Sequence, residues 1–80
     1  MVMNPKHKAL ELSNRDEIIE AYNNSFKAQP DKNKIRLLIN TFNDVHNSDV
    51  ITIGSYYSCG DCRRSVKHFW KYIIEKWQKT

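Results

Sequence analysis

The last third of the chain has an apolar pattern that predicts a long amphipathic helix. Ser58 and Asp61 form an S-x-x-D capping pattern, and the periodic segment after them continues to about Gln78. At 100° per residue the apolar side chains cover an arc of roughly 140°. They are Val66, Phe69, Trp70, Ile73, Ile74 and Trp77. A helix with so broad an apolar face needs other elements to cover it.

Two earlier segments have the same helical period. The first is predicted over residues 14–27, with Ser13 and Asp16 or Asn14 and Glu17 as the capping signature. The second is predicted over residues 32–46, with Asp31 as the N-cap. The apolar faces of the two helices consist of Ile18, Ile19, Tyr22 and Phe26, and of Ile35, Leu38, Ile39, Phe42 and Val45.

The remaining segments lack this period. Residues 1–12 are predicted to form an irregular arm, because Pro5 restricts Asn4 to extended conformations. Val50 to Ile53 are rich in β-branched residues, but the chain has no second convincing strand to pair with them. We therefore expect an extended connector over the core. The predicted fold is all-α: a three-helix domain over residues 13–80, with the arm over residues 1–12.

Length and composition indicate a single domain without a membrane partner. Eighty residues are enough for one small core. Met1 to Lys8 lack the apolar segment of a secretory signal, and no run approaches the ~18 apolar residues of a membrane span. Two cysteines without a signal argue against a disulfide framework. The expected location is the cytoplasm.

The net charge of +4 is concentrated at the C-terminal end. Residues 59–80 contain six basic and two acidic side chains. Arg64, Lys67 and Lys71 lie opposite the apolar face, with Arg63 flanking them and His68 adjacent. Such a face is typical of a phosphate-contacting surface for nucleic acid, of a dock for an acidic protein, or of a solvated helix face.

Three aromatic residues flank this basic helix. Tyr56 and Tyr57 precede it, and Trp77 lies near its end. Each is a candidate anchor for a partner, although aromatic residues in a domain this small also close the core. A helix-turn-helix is disfavoured, since about ten residues separate the second and third predicted helices, whereas that motif needs a turn of 3–4 residues.

Cys59 and Cys62 form a C-x-x-C motif with three interpretations. A zinc site needs further ligands, and His46 is the best candidate because His68 points away from Cys62 on the helical wheel. A redox dithiol would benefit from the helix dipole, but the βαβ context of thioredoxin-like proteins is missing. The favoured interpretation is packing, since both cysteines project toward Val66.

Catalytic signatures are absent from the sequence: there is no nucleophile elbow and no Gly-rich phosphate loop. The segments YNNSF (Tyr22 to Phe26) and SCGDCRRSV (Ser58 to Val66) resemble small proteins encoded by tailed phages of Bacteroidetes, including crAss-like phages. The resemblance implies a phage origin and a virion or host-takeover role. It implies no catalytic residues.

The leading hypothesis is a non-enzymatic protein-interaction module without a cofactor, which serves as a minor structural or accessory phage protein in the host cytoplasm or the virion. Nucleic-acid binding through the basic face is one alternative, and a zinc-stabilised adaptor with Cys59, Cys62 and His46 as ligands is another. The predicted partner-binding residues are Arg63, Arg64, Lys67, Lys71, Tyr56, Tyr57 and Trp77.

Overall fold

The computed structural model describes residues 4–47 and 49–79, and their regular structure is entirely helical. This confirms the all-α prediction. No helix within the described residues is long and apolar enough to cross a bilayer. The helices are α1 (Pro5–Leu10), α2 (Arg15–Asn24), α3 (Lys32–His46), α4 (Ile53–Ser58) and α5 (Gly60–Gln78).

Helices α3 and α5 form the centre of the molecule, since each contacts every other helix. Their apolar faces supply most of the core, as their periodicity predicted. Trp70 of α5 is fully buried, and its Nε1 donates a hydrogen bond to the Leu38 carbonyl oxygen at 3.2 Å. The other buried residues of these two helices are Ile35, Leu38, Ile39, Phe42, Val45, Val66, Ile73 and Ile74.

Helix α2 is shorter than predicted. It buries Ile18 and Ala21, but it ends at Asn24 rather than near residue 27. The Asn24 side chain is buried, and its Oδ1 accepts a hydrogen bond from the Asp31 backbone N–H at 2.8 Å across the turn to α3. Phe26 therefore lies beyond the helix and is 59% exposed, so its placement on the apolar face of that helix was wrong.

The segment predicted as an irregular arm contains α1. Pro5 is the first helical residue, and the Asn4 side chain caps the helix by accepting a hydrogen bond from the Lys6 N–H at 2.9 Å. Proline keeps the residue before it extended, which is the conformation that an N-cap requires, and its own fixed φ suits the first turn. Ala9 is fully buried, which ties α1 to the core.

The connector prediction is correct up to residue 52 and wrong beyond it. The Asn43 side chain holds the extended part against α3: it accepts hydrogen bonds from the Val50 and Ile51 N–H groups and donates to the Ile51 carbonyl oxygen. Ile51 is buried. Thr52 then caps α4, since its Oγ1 accepts a hydrogen bond from the Ser55 N–H at 3.0 Å.

Candidate partner-binding cleft

A surface cleft of about 460 Å³ lies between the end of α2 and the first half of α5. It contains all four predicted basic residues, and none of the described residues that line it is acidic. The volume lies within the range of small-ligand and peptide-anchor pockets. We call it the basic cleft; its lining residues are Tyr22, Phe26, Gly60, Arg63, Arg64, Lys67, His68 and Lys71.

Two local patterns form this cleft. On α5 the basic residues recur at spacings of one, four and eight residues, which places them on one side of two successive turns. On the opposite side, the Tyr22 and Phe26 rings meet edge to face with centroids 5.0 Å apart. The cleft therefore joins a positively charged wall to an aromatic one.

Lys67 connects the two walls. Its Nζ donates to the Ser25 carbonyl oxygen at 3.3 Å and lies 4.4 Å from the centroid of the Phe26 ring. Ser25 is the C-cap of α2, where carbonyl groups carry partial negative charge and need donors. Burial, together with the nearby Arg63 charge, lowers the pKa of Lys67.

The two arginines differ in their contacts. Arg63 donates from Nη1 to the Tyr56 carbonyl oxygen at 3.3 Å, near the C-terminal end of α4. The Arg64 side chain is 74% exposed, and its Nη1 lies 3.9 Å from Asp61 Oδ1. An exposed pair at that distance contributes little to stability. Arg64 and the exposed Lys71 thus extend into solvent at the cleft, whereas Arg63 and Lys67 bond to backbone.

The two tyrosines occupy opposite environments. Tyr56 is only 2% exposed, and burial is the main cause that raises its pKa. The structure therefore places Tyr56 in the core rather than on a binding surface. Tyr57 is 48% exposed and meets the Tyr56 ring edge to face at 5.4 Å, but it does not line the cleft.

Trp77 lies near the other end of α5, away from the cleft. It is half-buried, and its Nε1 donates to the Leu10 carbonyl oxygen at 3.1 Å. The Arg15 guanidinium carbon lies 5.5 Å from the centroid of its ring. Trp77 thus holds the end of α1 against α5, and the structure does not bring it together with the basic residues.

The cysteine pair opens α5. Cys59, not the predicted Ser58, is the N-cap, and its Sγ accepts a hydrogen bond from the Cys62 N–H at 3.3 Å. The Ser58 hydroxyl instead donates to the Gly54 carbonyl oxygen within α4. Cys62 packs against the core, as expected. Cys59 is half-buried and caps the helix with its sulfur.

The described residues do not form the ligand set that the zinc alternative requires. His46 Nδ1 donates to the Phe42 carbonyl oxygen at 2.7 Å, and its ring packs against Phe42 and Phe69. Across residues 4–47 and 49–79, no three His, Cys, Asp or Glu side chains lie close enough together to hold a metal ion.

Sequence reasoning missed the aromatic wall. Tyr22 and Phe26 have the i, i+4 spacing of a helix face, so both were placed on the apolar face of the first predicted helix. The available signal was the pair Asn23-Asn24 between them, since asparagine is a poor residue for a helix interior and often marks its end. His68, predicted to lie beside the basic residues, does line the cleft.

No protein-family model, no curated protein and no solved structure matches this chain.

Proposed function

We propose that this protein is a non-enzymatic interaction module that binds an acidic segment of a partner protein in the basic cleft. The observation that carries the proposal is the lining itself: four cationic side chains face two aromatic rings, and none of the described lining residues is acidic. Carboxylates of a partner would meet the cations, and an apolar side chain between them would rest on Phe26.

The dimensions favour a short peptide. Arg63 and Lys71 are eight residues apart, which corresponds to about 12 Å along the helix axis. That length matches about four residues of extended polypeptide. Proteins that bind single-stranded nucleic acid without sequence preference usually contact about 4–16 nucleotides per domain, and thus need a longer groove.

The lining is also better suited to binding than to catalysis. Among the described residues, no thiol or carboxylate lines the cleft together with His68. General acid–base catalysis and nucleophilic catalysis rely on such a paired group. In the phage setting that the resemblance implies, we propose an accessory or minor structural role, in the host cytoplasm or in the virion.

Fluorescence anisotropy with a defined probe tests this function. The probe is a labelled peptide of alternating Asp and Glu with one central Phe, and its reference is the same peptide with Asn and Gln in place of the acids. We expect the acidic peptide to bind more tightly, and the affinity to fall as salt rises from about 0.05 to 0.5 M, because screening shortens the range of the charges.

A pair of charge-reversal variants locates the site. Arg64→Glu combined with Lys71→Glu should abolish peptide binding, since both side chains extend into solvent at the cleft. Lys76→Glu combined with Lys79→Glu changes the net charge equally on exposed positions outside the cleft, and it should retain binding. Equal loss in both variants, or equal affinity for the acidic and amide peptides, would reject the proposal.

Single-stranded nucleic acid is the second candidate, because the positive lining would attract phosphates as it attracts carboxylates. The same assay with a labelled oligothymidylate separates the two. Tighter binding of the oligonucleotide than of the acidic peptide, lost in the Arg64→Glu and Lys71→Glu variant, would replace the protein partner by nucleic acid.

A further inference from the structure

The cysteine pair at the start of α5 lies outside the lining of the basic cleft, so the proposed binding function does not account for it. Both cysteines are reduced and half-buried, which leaves part of each side chain accessible. Cys59 is the N-cap, and Cys62 is the third residue of the helix. The Cys59 Sγ accepts a hydrogen bond from the Cys62 N–H at 3.3 Å, so the sulfur of the first cysteine lies against the backbone of the second.

This geometry makes the two sulfurs chemically unequal. The Cys62 N–H donates to Cys59 Sγ at the N-terminal end of α5, where the helix dipole favours negative charge. Hydrogen bonding by Cys62, first through its side chain and then through its backbone, lowers the pKa of Cys59. The pKa of Cys62 is raised, first by its side-chain interaction with Cys59 and second by burial. Asp61 opposes thiolate formation at Cys59, but its effect is smaller than that of the hydrogen bonds.

We propose that Cys59 and Cys62 form a redox-active dithiol that undergoes exchange with low-molecular-weight disulfides, with Cys59 as the attacking thiol and Cys62 as the resolving thiol. This site is independent of the proposed binding function. Its assignment depends on the hydrogen bond from the Cys62 N–H to Cys59 Sγ and on the position of Cys59 at the helix N-cap.

The reaction has two balanced steps. The Cys59 thiolate attacks one sulfur of the small disulfide; a Cys59–sulfur bond forms, the original S–S bond breaks, and one small thiolate leaves. Cys62 then loses its proton to solvent and attacks Cys59, which forms the Cys59–Cys62 bond and releases the second small thiolate. The dithiol is oxidised, and the small disulfide is reduced to two thiols.

The fold permits this closure because the two cysteines belong to one turn. A disulfide requires Cα atoms about 4.4–6.8 Å apart, a separation that residues three positions apart in a helical turn can meet. Gly60 follows Cys59, and a Cβ at that position would meet only the Arg63 side chain, at 3.9 Å. The first turn therefore has room to adjust while the rest of α5 stays in place.

Exposure of the reduced full-length protein to a mixture of oxidised and reduced glutathione, followed by acid quenching, alkylation and mass spectrometry, tests the proposal. We expect the wild-type protein to lose two alkylatable thiols as a monomer, with little mixed disulfide. Cys62→Ser should accumulate glutathione at Cys59. Cys59→Ser should react several-fold more slowly and form no internal disulfide.

Serine is a preferred N-cap residue, so Cys59→Ser should retain helix α5, which circular dichroism checks. The wild-type protein gives a second test without any substitution: brief alkylation should label Cys59 before Cys62. Equal labelling of the two thiols, stable mixed disulfides on both, or disulfides formed only between two chains would overturn the proposal. Neither variant removes a side chain from the basic cleft, so this result is separate from the peptide assay.

Discussion

Helix α4 and the first half of α5 carry two sets of the same residue types: one makes contacts within the molecule, and the other extends into solvent. Tyr56, Arg63 and Lys67 form the inner set: the first is buried, and the other two donate hydrogen bonds to backbone carbonyl oxygens. Tyr57, Arg64 and Lys71 form the outer set, and all three are exposed. Each inner residue has a chemically matched outer one within four positions.

The difference shows that residue type alone does not decide whether a side chain stabilises the fold or is free to contact a partner. The inner cations meet carbonyl groups at the ends of α4 and α2, where the helices lack internal donors. The outer cations, Arg64 and Lys71, are exposed. The basic surface looks uniform in the sequence, but its cations have two roles: Arg63 and Lys67 bond to the backbone of other helices, whereas Arg64 and Lys71 extend into solvent.

The largest contrast is expected between the two tyrosines. Tyr56→Ala should destabilise the protein by about 3 kcal/mol, because it leaves a cavity in the core, and Tyr57→Ala by less than about 1 kcal/mol. Urea unfolding followed by circular dichroism measures both. The inner and outer assignment of this pair fails if the two variants have the same unfolding midpoint.

A smaller contrast is expected between the two lysines. Lys67→Ala should cost about 1 kcal/mol, since it removes the donor to the Ser25 carbonyl oxygen and the contact with Phe26, and Lys71→Ala should stay within about 0.5 kcal/mol. Lys67→Met is the control, because it keeps most of the stem and loses the donor. Identical unfolding curves for Lys67→Ala and Lys71→Ala would contradict the supporting role of Lys67.

The arginine pair should differ least in unfolding free energy. Arg63→Gln removes a hydrogen bond to the Tyr56 carbonyl oxygen at a partly exposed site, so we expect a loss of about 0.5 kcal/mol. Arg64→Gln should leave the midpoint unchanged within error but weaken binding of the acidic peptide. If instead Arg64→Gln destabilised the protein more than Arg63→Gln, the two roles would have to be exchanged.

The last test concerns substitutions that should hardly change the free energy of unfolding at neutral pH. Burial raises the pKa of Tyr56 in the folded protein, so its contribution to stability is present below the unfolded value near 10 and is lost as the pH rises through the folded pKa. As the pH rises above about 10, the free energy of unfolding of the Tyr56→Phe variant should therefore fall less than that of the wild-type protein.

Tyr57→Phe is the matched control for this alkaline transition, since that ring is half exposed. Two other groups change stability in this pH range. The lowered pKa of Lys67 makes stability rise with pH, whereas the raised pKa of Tyr22 makes it fall, as for Tyr56. The comparison of each variant with the wild-type protein cancels both contributions. Parallel pH profiles for Tyr56→Phe and wild type would show that Tyr56 does not contribute.

Periodicity and capping predicted the long helices well. The Asp31 cap and the apolar period placed α3 at Lys32–His46, and the period of α5 ended at Gln78, as the structure has it. Short elements were missed because six residues, fewer than two turns, are too few to show a period. Their stability comes from contacts: Ala9 is buried for α1, and Tyr56 for α4.

The candidate site was half predictable. The four cations could be predicted from their spacing on one helix, but the aromatic wall could not. A Tyr/Phe pair at helical spacing has the same sequence pattern whether the second ring is buried or exposed. The end of α2 at Asn24 turned Phe26 outward. The Cys59 cap was missed because serine is a far commoner capping residue than cysteine.

The sequence by itself determined the elements whose cause is local: the apolar faces of α3 and α5, the Asp31 cap, and the concentration of positive charge on one side of the last helix. Only the tertiary structure decided how that charge is used. Whether a lysine extends into solvent or bonds to a carbonyl group depends on where another helix ends. The distance between the lysine and that helix end is set by packing between residues far apart in the chain. Lys67 and Ser25, which are 42 residues apart, are the clearest case.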